Sequence, residues 1–306
     1  MFRTLQNTAR IDFTISPDGP ILVRAQSVGI DPGVAEIEFQ RTRRNGESTV
    51  FLAGSGLKGV LRSHSERLVR SAGRFACDPT KTNMKVPEAR FTCGIRRPNG
   101  PKPGDYVDPY RHGGNCAACF TFGSLKLAGR FRVADAYPSE TTWEETNRTE
   151  VRTGVGIDRK SQASAQGALY DTEVVVSGGF EAHVQGENFS LWQLGLILSA
   201  LRDLDDGLVK IGGGKARGMG TVRVESLKIE LGFLNGDTGK ITGAKISRPE
   251  EKEYGLPAED LIPFPAGTGD SQRGLFRIAV FEGQAVESLA TILIEGPLAR
   301  YLQGKP

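Results

Sequence analysis

The segment IGGGKARGMG, residues 211–220, combines five glycines with two cations. Glycine-rich loops often bind phosphate, because the main-chain N–H groups of such loops can approach it closely. The P-loop pattern requires Ser or Thr after its lysine, whereas Ala216 follows Lys215 here. A dinucleotide-binding loop opens a helix, but the alternation in TVRVESLKIEL after this loop predicts a strand. The common nucleotide loops are therefore excluded, which leaves another phosphate-bearing ligand or a tight turn that binds nothing.

All four cysteines of the chain lie within one stretch of 43 residues. Two of them form CAAC, a CxxC pair of the kind that holds one side of a zinc ion. In a cytoplasmic protein this clustering favours a metal over disulfides. The stretch also lacks periodicity, and a metal would supply order that its sequence does not. The predicted zinc ligands are Cys77, Cys93, Cys116 and Cys119, with His112 as a replacement for one of the distant cysteines.

Four thiolates would form a structural zinc site, because they leave no open position for a water molecule. The CxxC pair is not next to a thioredoxin-like strand–helix–strand pattern, which argues against a redox motif. The alternative interpretation is a set of free or buried thiols.

Composition indicates an ordinary globular chain of 306 residues, with 38% hydrophobic and 25% charged residues. The sequence shows no apolar N-terminal run and no stretch near the roughly 20 residues of a membrane span, which predicts a cytoplasmic protein without a membrane partner. Between Arg41 and Arg97, 13 basic residues stand against four acidic ones. This polarity indicates either a basic face for a polyanion or a solvated basic surface.

Hydrophobic patterns predict several short strands and two helices. Residues 10–25 and 129–138 read as strands, and Asn45-Gly46 predicts the turn of a hairpin. The first helix is expected to start at the N-cap Ser55 and to end near Gly73, with a buried face formed by Leu57, Leu61, His64 and Leu68. The second is expected to follow the cap Ser190, with Leu191, Leu194, Leu198 and Leu201 on its buried face.

The order of these elements predicts an α+β fold. Without its insertions it approximates β-α-β-β-α-β, the ferredoxin-like arrangement of RNA-recognition domains. Residues 74–122 form the cysteine-rich insertion, and residues 139–170 read as polar and irregular. The strand at residues 221–231 closes the unit, and residues 232–306 follow it as a C-terminal extension.

Three segments, in this order, resemble the RAMP superfamily of CRISPR proteins. They are AGSGLKGVLRSHSERLVR at the first helix, GIDRKSQASAQGALYDTEVV, and the glycine loop GGGKARGMGTVRV. The similarity covers residues 10–231 and is greatest to the type III backbone subunits. It implies a palm core over residues 1–231 that contains the zinc insertion at 74–122 and a thumb-like hairpin at 139–170.

The resemblance implies that guide RNA is the ligand of the glycine loop. Lys58 agrees with this, because a cation in the first turn of a helix opposes the helix dipole unless an anion binds there. A purely solvated position for Lys58 and Arg62 is the alternative. The RNA-binding residues that the resemblance assigns are Ser55, Lys58, Arg62, Arg159, Lys160, Gly213, Gly214, Lys215 and Arg217.

Many type III backbone subunits cut target RNA with an aspartate ahead of the first helix. Asp31 in SVGIDPGV stands at the matching place, although the hairpin over residues 37–51 is longer than the family pattern. One carboxylate can hold a divalent cation such as Mg²⁺ or Mn²⁺, or can orient the 2′-hydroxyl for attack on its own phosphate. Asp-Pro is also a common turn initiator.

The resemblance thus implies guide RNA, target RNA, other subunits of an effector complex and further copies of the chain as partners. Two alternatives remain open. One is a non-cutting backbone subunit of a type I or type IV-like complex. The other is a guide-processing endonuclease, which typically uses a histidine near its N-terminus, whereas the first histidine of this chain is His64.

Overall fold

A computed structural model of the chain describes residues 4–25, 35–80, 93, 115–125, 127–234, 239–245 and 259–304. Its strands, in chain order, are β1 (Asn7–Pro17), β2 (Arg41–Arg44), β3 (Glu47–Val50), β4 (Phe131–Val133), β5 (Tyr137–Pro138), β6 (Glu150–Ile157), β7 (Ser164–Val174), β8 (Phe180–Glu187), β9 (Val222–Leu234), β10 (Lys240–Thr242), β11 (Leu261–Pro263), β12 (Gly269–Arg273) and β13 (Phe276–Glu282). Its α-helices are α1 (Gly54–Ser71), α2 (Ala117–Phe122), α3 (Trp143–Asn147), α4 (Leu191–Asp205), α5 (Gln284–Leu293) and α6 (Ala299–Leu302).

Within the described residues, the main sheet has seven strands, of which six follow the order β12-β13-β9-β1-β8-β4, while β5 also pairs with β8. Every pairing in it is antiparallel. In the chain, α1 lies between β1 and β4, and α4 lies between β8 and β9. The spatial order β9-β1-β8-β4 is that of a split β-α-β-β-α-β unit. The predicted α+β class and ferredoxin-like order of these elements are therefore confirmed.

Alternation along β1 places one face of the sheet in the core. Ile11, Phe13 and Ile15 are buried, whereas the residues between them are partly or fully exposed. The same alternation holds in β8, where Ala182 and Val184 point inward. Each large apolar side chain buried in this way contributes roughly 1.5–3 kcal/mol to folding. The buried face packs against α1 and α4, which therefore occupy one side of the sheet.

The first helix differs from its prediction at the N-terminus. It begins at Gly54, so Ser55 lies inside the first turn, is exposed and makes no capping hydrogen bond. The Gly54 N–H instead donates to Asp135 Oδ1 at 2.7 Å. A carboxylate from beyond β4 thus takes the place of a local cap, since an anion is favourable at a helix N-terminus. At the other end, Gly73 adopts φ = 74° directly after the helix, as predicted.

The second predicted helix, α4, begins directly after Ser190 as expected. Gln193 Oε1 accepts a hydrogen bond from the Ser190 N–H at 2.9 Å, which is half of a capping box. The next N–H, of Leu191, donates to Asp260 Oδ2 at 2.8 Å. The helices α1 and α4 are joined by His64, whose Nε2 lies 2.5 Å from Asp203 Oδ2.

Residues 139–170 are more regular than predicted. They contain one 3₁₀ turn at Glu140–Thr142, the short helix α3, and most of a two-stranded hairpin formed by β6 and β7. The residues of β6 are largely exposed on both faces. A strand that buries neither face carries no alternation of polar and apolar residues, which is why the sequence pattern missed it.

Residues beyond 231 extend the same core. Strand β13 pairs with β9, and β12 pairs with β13, so both join the edge of the main sheet. After β13, α5 buries Val286, Leu289 and Leu293 in the main core. Trp192 of α4 stacks on Tyr301 of α6 at a centroid distance of 3.8 Å.

The capping carboxylate Asp260 should make stability depend on pH. Burial raises its pKa to about 6, against an ordinary value of 3.8. Its proton is thus bound more tightly in the folded chain, so this residue favours folding below pH 4 and that contribution is lost as the pH rises through 6. The difference corresponds to roughly 2–3 kcal/mol. Asp260→Asn should therefore raise the free energy of unfolding, relative to the parent, more at pH 7 than at pH 5.

Urea denaturation at the two pH values measures this difference. Glu259→Gln, which changes the exposed carboxylate next to Asp260, is the matched control and should give the same small effect at both pH values. An equal effect of Asp260→Asn at pH 5 and pH 7 would contradict the assignment.

Candidate metal centre and nucleic-acid interface

The four cysteine sulfur atoms meet at one place beside α1. Cys77 follows the end of α1, Cys116 directly precedes α2, and Cys119 lies in α2. All four Sγ atoms lie within 4.8 Å of one another. The Cys77 Sγ lies 3.4 Å from that of Cys119 and 3.7 Å from that of Cys116. Zinc with Zn–S bonds of about 2.3 Å holds tetrahedral sulfurs about 3.8 Å apart. The cluster can therefore hold a metal ion such as zinc.

All four thiols are buried and none forms a disulfide. Hydrogen bonds from Cys119, Cys77 and Cys93 hold the pKa of the Cys116 thiol well below its usual value. Hydrogen bonding to Cys116 in turn raises the pKa of Cys93 and Cys119. Packed sulfurs cannot all carry negative charge without a cation among them, and a divalent metal supplies that charge. The donor set thus fits zinc in its chemistry as well as in its size.

Arg62 of α1 lies against this cluster. Its Nη2 is 3.3 Å from Cys119 Sγ, and its Nη1 donates to the Gly123 carbonyl at 2.6 Å. Its Nε donates to Glu66 Oε1 at 2.9 Å, and its side chain is only 15% exposed. The sequence predicted that this residue contacts RNA, but the structure directs its guanidinium toward the cysteines.

Glu66 and Arg70 continue the same network. Glu66 Oε2 accepts from Arg70 Nη2 at 3.2 Å, a pair of the kind that residues four apart form along a helix. Arg70 also donates to the carbonyls of Ala76 and Cys77, at 3.1 and 2.9 Å. These hydrogen bonds hold the segment that carries Cys77 against the C-terminal end of α1. The predicted alternative ligand His112 lies outside the described residues.

Near its N-terminus, α1 presents Lys58 without an anionic partner. Lys58 is half-buried, and no ion pair holds it within the described part of the chain. Burial lowers its pKa, and the positive charge of Arg62 lowers it further. Ser55, by contrast, is exposed. A charged amine that is disfavoured by burial and by a neighbouring cation gains when an anion binds beside it.

The glycine loop folds back onto the segment that follows β1. The Gly213 N–H donates to the Leu22 carbonyl at 2.8 Å, and the Gly220 N–H donates to the Pro20 carbonyl at 2.8 Å. Gly212 adopts φ = 67°, and a Cβ there would lie 2.1 Å from the Leu22 oxygen, so no other residue fits. Gly214 then opens a 3₁₀ turn over Lys215–Arg217, whose side chains are exposed.

The glycine loop also contacts the β6–β7 hairpin. Arg217 Nη1 donates to Tyr170 Oη of β7, and its guanidinium carbon lies 5.6 Å from the centroid of the Tyr170 ring. Tyr170 pairs across the hairpin with Gly154, and a Cβ at Gly154 would lie 2.4 Å from that ring. The absence of a side chain at Gly154 therefore lets the ring lie flat on the hairpin and face the loop.

The far end of this hairpin carries two of the predicted RNA-binding residues. Arg159 and Lys160 are exposed in its turn. Asp158 orders the turn by accepting from the N–H groups of Lys160 and Ser161, at 2.8 and 2.7 Å, and these hydrogen bonds lower its pKa. Both cations therefore lie at an exposed tip, where they are accessible to another molecule.

Asp31 lies outside the described residues, which end at Ala25 before it and resume at Ala35 after it. The Ala25 N–H donates to the Glu38 carbonyl at 2.9 Å, which joins the two ends. Ile37 bridges to Thr172 in β7, and its N–H donates to the Asp171 carbonyl at 3.0 Å. The described residues that flank Asp31 in the sequence, Ala25 and Ile37, therefore lie near the base of the hairpin.

Two site features were missed by sequence reasoning. Asp135 caps α1 across 81 residues of chain, and Tyr170 reaches Arg217 across 47. A lone acid after a strand has no local pattern that marks it as a cap. Tyr170 could have been noticed, because an aromatic residue opposite a glycine in a hairpin is a recognised pairing.

The cysteine cluster leads to a direct prediction on metal content. Purified protein should hold about one zinc per chain, and Cys116→Ser should reduce this to near zero, because three thiolates bind zinc much more weakly than four. Elemental analysis of the parent and the variant measures it, with a thermal melt to report the loss of stability. Metal-free parent protein from zinc-rich medium would contradict the assignment.

Comparison with known proteins places these features in one family. The model of the RAMP superfamily matches residues 14–223, which include α1, the cysteine cluster, the hairpin and the glycine loop. No curated protein matches the chain. None of the helices in the described part of the chain combines the length and apolar character needed to cross a membrane. The family match covers well over half of the sequence, and the chain therefore belongs to the RAMP superfamily.

Proposed function

We propose that this protein is a backbone subunit of a type III CRISPR effector complex that binds guide RNA and cleaves target RNA. Proteins of the RAMP superfamily bind CRISPR RNA and work within complexes of several subunits. In this proposal the four cysteines hold a structural zinc, and guide RNA contacts Lys58 and the glycine loop. The observation that supports it best is that the glycine loop, the base of the β6–β7 hairpin and the chain that follows Asp31 all contact residues 20–25.

This convergence rests on backbone hydrogen bonds. Ile21 bridges to Val175 at the base of the hairpin, and Leu22 accepts the N–H of Gly213 from the glycine loop. Ala25, three residues later, donates its N–H to the carbonyl of Glu38, seven residues after Asp31. The short segment 20–25 thus contacts the glycine loop, the base of the hairpin and Glu38, which supports a single site for RNA binding and cleavage.

The cations support phosphate binding. Lys58 has a partly desolvated amine that no acid of the described residues pairs with, and Lys215 is exposed on a loop whose glycines let the backbone of a ligand come close. Arg217 is held over Tyr170, which orients its guanidinium without neutralising it. Arg62 is left out of the RNA contacts because its donors are used inside the protein.

The hairpin is suited to act as the thumb. Val155 and Leu169 lie directly opposite each other on it and are 49% and 64% exposed. An exposed apolar pair of this kind can wedge between stacked bases. Arg159 and Lys160 at the tip would then contact the RNA backbone. A wedge that interrupts the duplex would leave one target nucleotide unpaired in each subunit, free to bring its 2′-oxygen in line with the phosphorus and the leaving 5′-oxygen.

Cleavage is assigned to Asp31 in this proposal. The 2′-oxygen attacks its own phosphorus, the bond to the 5′-oxygen breaks, and the products are a cyclic phosphate and a 5′-hydroxyl. The proton lost from the 2′-hydroxyl goes to solvent, and the leaving oxygen takes one from solvent. Asp31 would orient the 2′-hydroxyl or hold a divalent cation, which when bound neutralises phosphate charge.

The RNA contacts can be tested with two changes. Lys58→Ala, and Lys215→Ala with Arg217→Ala, should each weaken guide RNA binding regardless of sequence. Each lost phosphate contact should also reduce the slope of log affinity against log salt by about 0.7. Filter binding of single-stranded RNA at several salt concentrations measures both quantities.

Arg132→Ala is the matched control for these cations. Arg132 is already paired with Glu187 at 2.9 Å, so its removal should leave the affinity and the salt slope unchanged. Parent-like affinity and slope in both test variants would mean that Lys58, Lys215 and Arg217 are solvated surface residues.

The role of Asp31 can be tested in a reconstituted complex with end-labelled complementary RNA. Asp31→Ala should lower the rate of every regularly spaced cut by about a hundredfold or more, because catalysis by one positioned group is typically of this size. Duplex binding should persist, because phosphate contacts elsewhere hold the RNA. Asp18→Ala removes a carboxylate that lies 3.8 Å from Arg223, and it serves as the control.

Two other results would lead to different conclusions. If Asp31→Ala cuts at the parent's sites and rate, Asp31 is not catalytic, and Glu36 or Glu38 becomes the next acid to replace. If the parent complex binds target RNA but does not cut it with Mg²⁺ or Mn²⁺, the non-cutting backbone subunit is the correct function.

A further inference from the structure

We infer that Arg62 is a positioning residue of the metal centre, which links the cysteine cluster to α1 through a charged hydrogen bond to Cys119. The inference rests on the zinc site of the proposed function and adds to it a residue that does not bind metal. It also removes this residue from the RNA-binding surface to which its place in the sequence assigns it.

The first argument is geometric. Each nitrogen of the guanidinium has its own acceptor: Nε donates to Glu66, Nη1 to the Gly123 carbonyl and Nη2 to Cys119 Sγ. Gly123 ends the helix that carries Cys119. The planar fork of arginine thus joins α1, a cysteine and the C-terminus of α2 in one fixed geometry, which the single amine of lysine cannot reproduce.

The second argument is electrostatic. Zinc bound by four thiolates carries a net charge of −2, and a buried charge of this size needs partners. Within the described residues, Arg62 is the cation whose side chain contacts a cluster sulfur. Donors to ligand atoms commonly hold metal ligands in place, and their loss typically lowers metal affinity by about 10–100-fold.

The third argument concerns where α1 can bind RNA. Lys58 and Arg62 lie one turn apart, and proximity to Arg62 contributes to the lowered pKa of Lys58. Only 15% of the Arg62 side chain is exposed, and its guanidinium points inward, toward Gly123 and Cys119. The two residues thus divide the face of α1, with Lys58 available to an anion and Arg62 bound to the metal cluster.

Zinc release to a chromogenic chelator tests the inference. The parent, Arg62→Gln, Arg62→Lys and the control Arg67→Gln, an exposed arginine of the same helix, are compared. Release from Arg62→Gln should be about tenfold faster than from the parent or more, with Arg62→Lys intermediate and Arg67→Gln unchanged. Equal release from Arg62→Gln and Arg67→Gln would overturn the inference.

Cobalt substitution provides a readout that general loosening of the fold would not move. Loss of a hydrogen bond leaves the thiolate richer in electrons, so the sulfur-to-Co²⁺ charge-transfer band of Arg62→Gln should shift to longer wavelength. The band of Arg67→Gln should match the parent. An unshifted band in folded, cobalt-loaded Arg62→Gln would mean that Arg62 makes no bond to the ligand sulfur. If Arg62→Gln does not fold, Arg62→Lys supplies the same two measurements.

Two further measurements separate this inference from the proposed function. Zinc-loaded Arg62→Gln should bind single-stranded RNA with the parent's affinity, whereas Lys58→Ala should bind more weakly. Weak RNA binding with normal zinc release in Arg62→Gln would return Arg62 to the RNA surface and leave the zinc site intact. If the parent protein contains no zinc, both the proposed metal site and this inference are wrong.

Discussion

The hydrogen bonding of β1 on both of its edges is the constraint on which the rest of the molecule depends. This strand pairs with β8 from Thr8 to Ile15 and with β9 from Asn7 to Pro17. It therefore holds together the two halves of the split unit, each of which brings one helix to the same side of the sheet. A single strand in this position fixes where α1 and α4 lie, and with them the cysteine cluster and the glycine loop.

The end of β1 also explains why the predicted functional segments meet. Pro17 pairs with Val222, the first residue of β9, and the glycine loop lies directly before that residue. The chain that leaves β1 runs under this loop and then along the base of the β6–β7 hairpin. Segments that are about 190 residues apart in sequence thus become neighbours because they are attached to the same end of two paired strands.

Ion pairing of the cations differs between the open face of the sheet and the face covered by helices, which the fold class alone does not predict. On the open face of the sheet, cations are paired with acids, as in Arg10 with Asp12 at 2.7 Å and Lys228 with Glu282 at 3.0 Å. Exposed pairs of this kind add little stability, but they cancel the attraction for a polyanion. Lys58 has no such partner within the described residues, so α1, on the helix side of the sheet, keeps a cation that can attract a phosphate.

Features that depend on local patterns could be predicted from the amino-acid sequence. The burial of Leu57, Leu61 and His64 in α1, the cap at Ser190, the turn at Asn45-Gly46 and the clustering of the cysteines all follow from short-range periodicity, propensity or spacing, and the structure agrees with each. Leu68, also predicted on the buried face of α1, is only partly buried, and Val69 is buried instead. The family resemblance adds the order of these elements. Tertiary structure alone decided which partner each polar group takes. Arg62 turns to a cysteine 57 residues away, and α1 is capped by a carboxylate 81 residues away. Helix periodicity determines the side of the helix on which a residue lies. The group that its side chain contacts there depends on how distant segments of the chain pack.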